Sequence, residues 1–310
     1  MQIQVRELPG RLAAWRRLHR RLAREYRGAH GRRLRLFRPR TYTEKMQWRK
    51  VFDHDPRYPR ILDKVAVRRW IGRRIGDDLL VPVQWVGRLP RAIPFEDLVT
   101  PYVLKSTHAS GQVVIVGPGE EPDVAGLRRR ARGWLGVDHA QKGAEWGYSA
   151  IRPRLVVESR IGGDEPPLER RVFVFGGRAC VVNTVVVEDD RIRNAAFHDL
   201  AWQRLPWWFT REPLPGEWPR PERLDDMVAA AEAVAADLDH ARVDFYDGGA
   251  EIWIGEITLY SWSGMSRFNP PGADHELGAA WHLRRPLRRA VRTILTTDPV
   301  GAPAARGAGR

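Results

Sequence analysis

The chain has 310 residues, 43% of them hydrophobic, and one cysteine. That is enough for one large domain or two modest ones with a sizeable core, so disorder is not the default reading and an intrachain disulfide is excluded. The formal charge of +14 suggests a polyanionic partner such as nucleic acid, but the excess is nearly all arginine spread along the chain, and a drift toward arginine codons accounts for it without a specific nucleic-acid partner.

The start, Met1 to Arg24, lacks the apolar run of a signal peptide, and no stretch approaches the ~18 apolar residues of a transmembrane segment. A cytoplasmic protein is expected, with Cys180 a small core residue. Leu12, Trp15, Leu18, Leu22 and Tyr26 fall at helical spacing in an arginine-rich stretch. Residues 1–37 thus read as a basic amphipathic region. Packing on the domain is its expected use, and peripheral membrane contact the other. Thr43 to Val51 reads as a helix with Thr43 as cap, and Asp63 to Ile75 as another with Asp63 capping. Val83–Val86 is extended. Tyr102–Ser106 and Val113–Val116 are strands around the small-residue loop Thr107–Gly111. Residues 121–142 are helical, and Arg154–Ile161 is a valine-rich strand. Arg171–Phe175 and Ala179–Val187 flank Gly176-Gly177, a hairpin signal. Residues 198–222, rich in Trp and Pro, read as an ordered loop, and Asp225–Leu238 as a helix. Arg242–Tyr246 and Glu251–Thr258 flank Asp247-Gly248-Gly249, a second hairpin. Residues 296–310 read as a disordered tail. The pattern is α+β.

The dinucleotide and Walker phosphate loops are both absent, so a nucleotide enzyme of this sequence must hold phosphate another way. Lysine survives only at Lys45, Lys50, Lys64, Lys105 and Lys142. A compact ammonium is not replaceable by guanidinium where geometry is tight, which makes these positions informative. In YVLKSTHASG, Lys105 ends an apolar strand before a loop whose backbone N–H groups can approach an anion. Asp244 and Glu256 sit inside apolar strands, where acids are costly unless paired or metal-bound. Glu256 and Thr258 share a strand face. Two carboxylates and a hydroxyl suit Mg²⁺ beside phosphate, and neutralisation by arginines such as Arg242 is the competing account. Arg171 opens a strand from which it can stabilise charge on a transferred phosphoryl group.

The order of LDKVAVR, YVLKSTHASG, IRPRLVVES, RRVFVFGG, RVDFY and GEIT resembles the ATP-grasp superfamily. With RTYTEKMQW it looks more narrowly like the TupA-like ATP-grasp family, associated with teichuronopeptide and other surface-polysaccharide biosynthesis, over about Arg38 to Leu283. The resemblance implies an ATP-grasp fold with ATP held between two α+β subdomains, at about 76–156 and 157–295 within a catalytic unit of 38–295. It implies that Lys64 and Lys105 contact phosphates, that Ser110 and Gly111 close over them, and that Val157 and Glu158 lie beside adenine. Arg171 takes the position of a transition-state arginine. Asp244 and Glu256 would hold Mg²⁺, or Mn²⁺, with Thr258 where many superfamily members have asparagine. The implied reaction is carboxylate–amine ligation through an acyl phosphate. Phosphorylation of a hydroxyl by a kinase, and a non-enzymatic polyanion-binding protein, are the alternatives. His108, His198 and Arg267 are acceptor-site candidates.

Overall fold

The structure, a computed structural model, describes residues 8–162, 167–188, 191–209 and 212–300. Helix α1 (Leu8–His30) buries Trp15, Leu18, Leu22 and Tyr26, four of the five residues whose spacing predicts it. They pack with Trp48, Val51 and Phe52 of α2 (Tyr42–Phe52) and Ala290 of α9 (Pro286–Thr296). The cap of α2 is Thr41 rather than Thr43. Thr41 Oγ1 accepts from Glu44 N, and Glu44 Oε2 accepts from Thr41 N, both at 3.3 Å, closing a capping box. Thr43 is diverted because its Oγ1 donates to Asp274, 2.7 Å away.

Ten of the eleven residues of α2 are buried, so its polar side chains need internal partners. Lys45 Nζ donates to the carbonyls of Gly278 and Trp281. Arg49 donates to Leu259 O at 3.1 Å, pairs with Asp239, and lies over the Trp281 ring. The RTYTEKMQW stretch is therefore a structural helix that ties the N-terminal region to the large sheet.

The helix expected from Asp63 to Ile75 is α4 (Ala66–Ile75), which starts three residues later, and the short α3 (Tyr58–Leu62) precedes it. Between them Asp63 Oδ1 accepts from Val65 N and Ala66 N and interrupts the run. Lys64 lies in that break.

Strands β1 (Val83–Gly87), β2 (Tyr102–Ser106), β3 (Val113–Val116) and β4 (Leu155–Ser159) form an antiparallel sheet in the order β1-β4-β2-β3. Helix α5 (Val124–Leu135) covers it, with Leu127 and Ala131 packed against Leu104, Leu155 and Val157. Helix α6 (His139–Gly143) follows. The expected division at 156/157 runs through β4, whose pairing with β1 and β2 extends this sheet to Ser159.

The larger sheet contains β5 (Leu168–Phe175), β6 (Arg178–Glu188), β7 (Arg191–His198) and β8 (Arg204–Leu205), and later β10 (His240–Asp247) and β11 (Ile252–Thr258). Its order is β11-β10-β5-β6-β7-β8, antiparallel throughout. Both expected hairpins are present, and Gly176 and Gly177 turn the first with φ of +56° and +79°. The expected loop 198–222 holds β8 and β9 (Trp208–Phe209), which pairs with β12 (Phe268–Asn269). Helix α7 (Leu224–Ala235) covers one face of the large sheet, its Met227, Ala231 and Val234 in the core with Val172, Val174 and Val243. On the other face, Tyr42 of α2 meets the Phe173, Phe175 and Phe268 rings. Helix α8 (Pro271–Ala280) closes against α2.

Cys180 is exposed on β6, not a core residue, because it is the extra residue of a bulge between Ala179, paired with Val174, and Val181, paired with Phe173. Thr296 ends α9, and Thr297 and Asp298 pack on α1, with Trp15 Nε1 donating to Thr297 O and Arg11 pairing with Asp298. The part of the expected tail up to Asp298 is thus ordered, and residues 301–310 lie outside the described residues. Among the described residues, no helix is long and apolar enough to cross a membrane.

Candidate functional site

The pairing register creates the site. In β10, Asp244 sits opposite Glu256 of β11 on one side and Arg171 of β5 on the other, with Asn183 of β6 next in line. Directly paired residues share a sheet face, so the two acids and Arg171 point to the same side. Arg242 and Thr258 form the adjoining row. A bulge between Asp244 and Phe245 puts Gly255 out of step, and the pairing resumes at Ile254.

Arg242 holds Asp244 through both oxygens, at 2.6 and 2.5 Å, and also donates to Thr258 Oγ1 at 3.2 Å. Thr258 Oγ1 is 3.0 Å from Glu256 Oε1 and 3.3 Å from Asp244 Oδ2. Two carboxylates and a hydroxyl therefore converge. Burial works against every charge here. It pushes the Asp244 carboxyl up, and Arg242 is what opposes it. At Glu256 the same penalty is outweighed by Lys64 and Arg242, which hold its carboxyl below the usual range. Arg171 is gripped by Glu169 at 3.0 and 2.6 Å. The Trp262 ring lies against both guanidiniums, 4.6 Å from that of Arg242 and 5.6 Å from that of Arg171.

The small sheet supplies the opposite wall. Lys105 of β2 and Glu158 of β4 share a face by register, and Lys105 Nζ donates to Glu158 Oε2 at 2.7 Å. Burial works against the Lys105 ammonium, but Tyr246, Glu158 and Glu256 raise it above the ordinary lysine value. Lys64 Nζ donates to Ala109 O at 2.8 Å, within the small-residue loop. Burial lowers the Lys64 ammonium, with Glu256 pulling the other way and Lys105 adding to the drop. Both lysines thus feel Glu256 across the gap between the sheets.

That gap is a cavity of about 430 Å³ lined by Lys64, Ser110, Arg171, Arg242, Glu256 and Thr258 among others. Asp244 stands behind Arg242 and does not line it. Segment 139–148 adds His139, Lys142, Glu145 and Tyr148, a wall the sequence reading passed over, although the rarity of lysine marked Lys142. A loop after β11 adds Trp262 and Ser263, with φ of +48° and +55°. Non-glycine residues in this conformation are strained and persist only where surroundings fix them. Here Gln47 Nε2 donates to Ser263 O at 2.8 Å, and Lys50 Nζ donates to Ser263 O and Oγ.

Other expected site residues fall elsewhere. The Val157 side chain packs into the small-sheet core with Leu104, so only its backbone can face a ligand. Gly111 has φ of +74°, which suits its loop. His108 turns under α5, its Nε2 donating to Trp134 O at 3.2 Å. His198 shares the sheet face of Val182 and Val172, opposite that of Arg171. It stacks on Trp202, and burial with Arg170 and Arg204 lowers it to about 4. Arg267 is exposed and outside the cavity lining.

Oxygen donors of this kind fit Mg²⁺, which takes one or two carboxylates and completes its shell with water and substrate phosphate. Among the described residues there is no group of three or more acidic, His or Cys side chains that could hold a metal alone. Glu256 is open to the cavity with its side chain 47% exposed, whereas Asp244 is neutralised by Arg242.

The model of the family described as TupA-like ATPgrasp matches residues 44–282. A comparison with curated proteins finds no match. Among solved structures, the chain is similar to the ADP complex of N5-carboxyaminoimidazole ribonucleotide synthetase, at 13% identity and a TM-score of 0.42, over 77% of this chain and 53% of that one. It is similar to an L-amino acid ligase from Bacillus licheniformis at 13% and 0.43, over 76% and 50%. A D-alanine–D-alanine ligase from Bacillus anthracis gives 18% and 0.42, over 76% and 68%. The chain spans about half the length of the first two.

Proposed function

The chain belongs to the TupA-like ATP-grasp family and has the ATP-grasp fold, and from that premise we propose that it is an ATP-dependent carboxylate–amine ligase. One observation carries the reading. Arg171 and Glu256, in one row with Asp244, line a cavity together with Lys64, and Lys105 on the small sheet feels the same Glu256.

In this reading the two sheets clasp the nucleotide. Lys64 and Lys105 bind phosphates as point charges, Ser110 and Gly111 close over them, and the backbone around Val157 and Glu158 lies beside adenine. A substrate carboxylate oxygen attacks the γ-phosphorus, the bond to the β–γ bridging oxygen breaks, and ADP leaves. An amine then attacks the acyl carbon, phosphate departs, and the amine proton passes to solvent. Arg171 stabilises charge on the transferred group, and the chain's main contribution is positioning and electrostatics. Glu256 and Asp244, with Thr258 as neutral donor, would hold Mg²⁺ or Mn²⁺, which neutralises phosphate charge. We place the substrates among surface-polysaccharide or peptide-conjugate precursors, as the family resemblance implies.

The test is incubation with ATP and paired carboxylates and amines, following ADP, free phosphate and amide mass. Amine-dependent phosphate release with an amide product is expected. A phosphorylated acceptor without free phosphate would establish a kinase instead, and a chain that ATP does not stabilise against heat overturns nucleotide binding itself.

A further inference from the structure

The positive charge is concentrated, not evenly spread. Segments 8–40 and 282–300 hold 17 of the chain's 52 lysines and arginines with only two acids, Glu25 and Asp298, whereas the other 35 cations are matched by 36 acids. The entire excess thus belongs to two stretches far apart in sequence, and the fold brings them together. Trp15 and Arg11 of α1 donate to backbone carbonyls at the end of α9, Thr297 O and Leu295 O. Arg16, Arg17, Arg20, Arg24 and Arg27 are exposed on α1, and Arg284, Arg285, Arg288 and Arg292 on and before α9.

The same face leaves apolar side chains uncovered. Leu287 and Val291 are each 46% exposed, and with Ile294 they form an i, i+4, i+7 stripe on α9. Ile294 lines an apolar groove of about 200 Å³ between α1, α2 and α9, whose mouth includes Phe37, 36% exposed, and Arg16. A basic helix pair with a greasy stripe running into a greasy slot matches one kind of surface, anionic headgroups over acyl chains.

We propose that the α1–α9 face docks on an anionic lipid bilayer, with Leu287, Val291 and Phe37 entering the acyl boundary and the exposed arginines meeting lipid phosphates. A nucleic-acid duplex would use the arginines but gain nothing from the stripe. Helix α2 backs this face through Trp48, Val51 and Phe52 and holds the cleft loop through Gln47 and Lys50, so docking would set the cleft at a fixed height above the membrane.

The full chain is co-sedimented with vesicles of phosphatidylcholine alone and with phosphatidylglycerol making up about a third of the lipid. Binding to the anionic vesicles only, weakened by salt, is expected. Leu287→Asp with Val291→Asp should lose binding roughly tenfold or more, with unchanged melting temperature and ATP-dependent stabilisation. Arg284→Glu with Arg288→Glu should do the same. Equal binding to neutral vesicles, or to none, overturns the proposal. So does wild-type binding by the Leu287/Val291 variant together with salt-sensitive binding to duplex DNA, which would mark a general polyanion surface. A wild-type dimer that this variant converts to monomer would make the face an interface between copies and overturn it equally.

Discussion

Arg242→Met removes the group that holds both oxygens of Asp244, where the two side chains are 5% and 7% exposed. Breaking a buried pair from one side leaves a desolvated carboxylate and costs about 3–5 kcal/mol. At about 1.4 kcal/mol per tenfold, that is roughly two to three and a half powers of ten in the unfolding equilibrium. Loss of the guanidinium from the Trp262 ring, 4.6 Å away, lies within that sum. The cost depends on pH. Burial already holds Asp244 above its ordinary value against the opposing pull of Arg242, so in the variant its folded-state value stands further above the unfolded one of about 3.9. The folded state then binds more protons than the unfolded state in that interval, and stability falls as pH rises through it. The variant should be close to wild type near pH 4 and fully destabilised by about pH 7. Urea unfolding followed by tryptophan fluorescence at both ends measures this. Arg242→Met/Asp244→Leu removes both charges and should recover most of the loss, because an apolar pair tolerates burial. An equal loss at both pH values, or a double variant no better than the single one, would refute the argument.

Lys105→Met strands Glu158, 2.7 Å from the ammonium, so it should lower both the melting temperature and the stabilisation by ATP. Adding Glu158→Gln should restore the first and not the second, and restored ATP stabilisation would remove Lys105 from phosphate binding. Gly278→Ala would place a methyl 2.5 Å from Arg40 O and 2.7 Å from Thr41 Cα, backbone that cannot yield. A loss of about 1–3 kcal/mol is expected by urea titration, and an unchanged midpoint contradicts the close packing of α8 on α2. Burial lowers the Lys50 ammonium to about 8. Between about pH 8 and 10, the folded chain binds fewer protons at this residue than the unfolded chain, whose lysine value is about 10.4, so Lys50 adds stability as pH rises there. Lys50→Met should lack that rise, and parallel pH curves for the two proteins would show that Lys50 keeps its ordinary value.

Much of the site lies in strands that the sequence announces locally. Tyr102–Ser106 alternates core and cleft residues, and Gly176-Gly177 and Asp247-Gly248-Gly249 mark their hairpins without any tertiary information. Lysine scarcity pointed to Lys64, Lys105 and also Lys142. The misreadings have local causes. The helix after Asp63 starts three residues later than its aspartate suggests, and the short α3 (Tyr58–Leu62) before it has too few residues to show a helical period. Thr41 and Thr43 are equivalent in sequence, and Asp274, more than 200 residues later, decides between them. His198 offers a polar side chain whose residue type is visible in sequence, while its sheet face depends on the pairing of β7 with β6.

Residue type and alternation were sufficient to put Asp244, Glu256, Lys64 and Lys105 forward, since the burial cost of an acid and the compactness of an ammonium are properties of single residues. Register required the fold. Only the pairing of β10 with two neighbours sets Arg171, Asp244 and Glu256 in one row, whereas Arg242, two residues from Asp244 on the same strand, is within its reach by alternation alone. Only the approach of two sheets lets both lysines feel Glu256. The charge of segments 8–40 and 282–300 is likewise visible in sequence, but its union on one surface is not. The physical reason is common to all of these. Helix and strand periods are set over a few residues, whereas cross-strand and cross-sheet neighbours are chosen by the packing of segments tens to hundreds of residues apart.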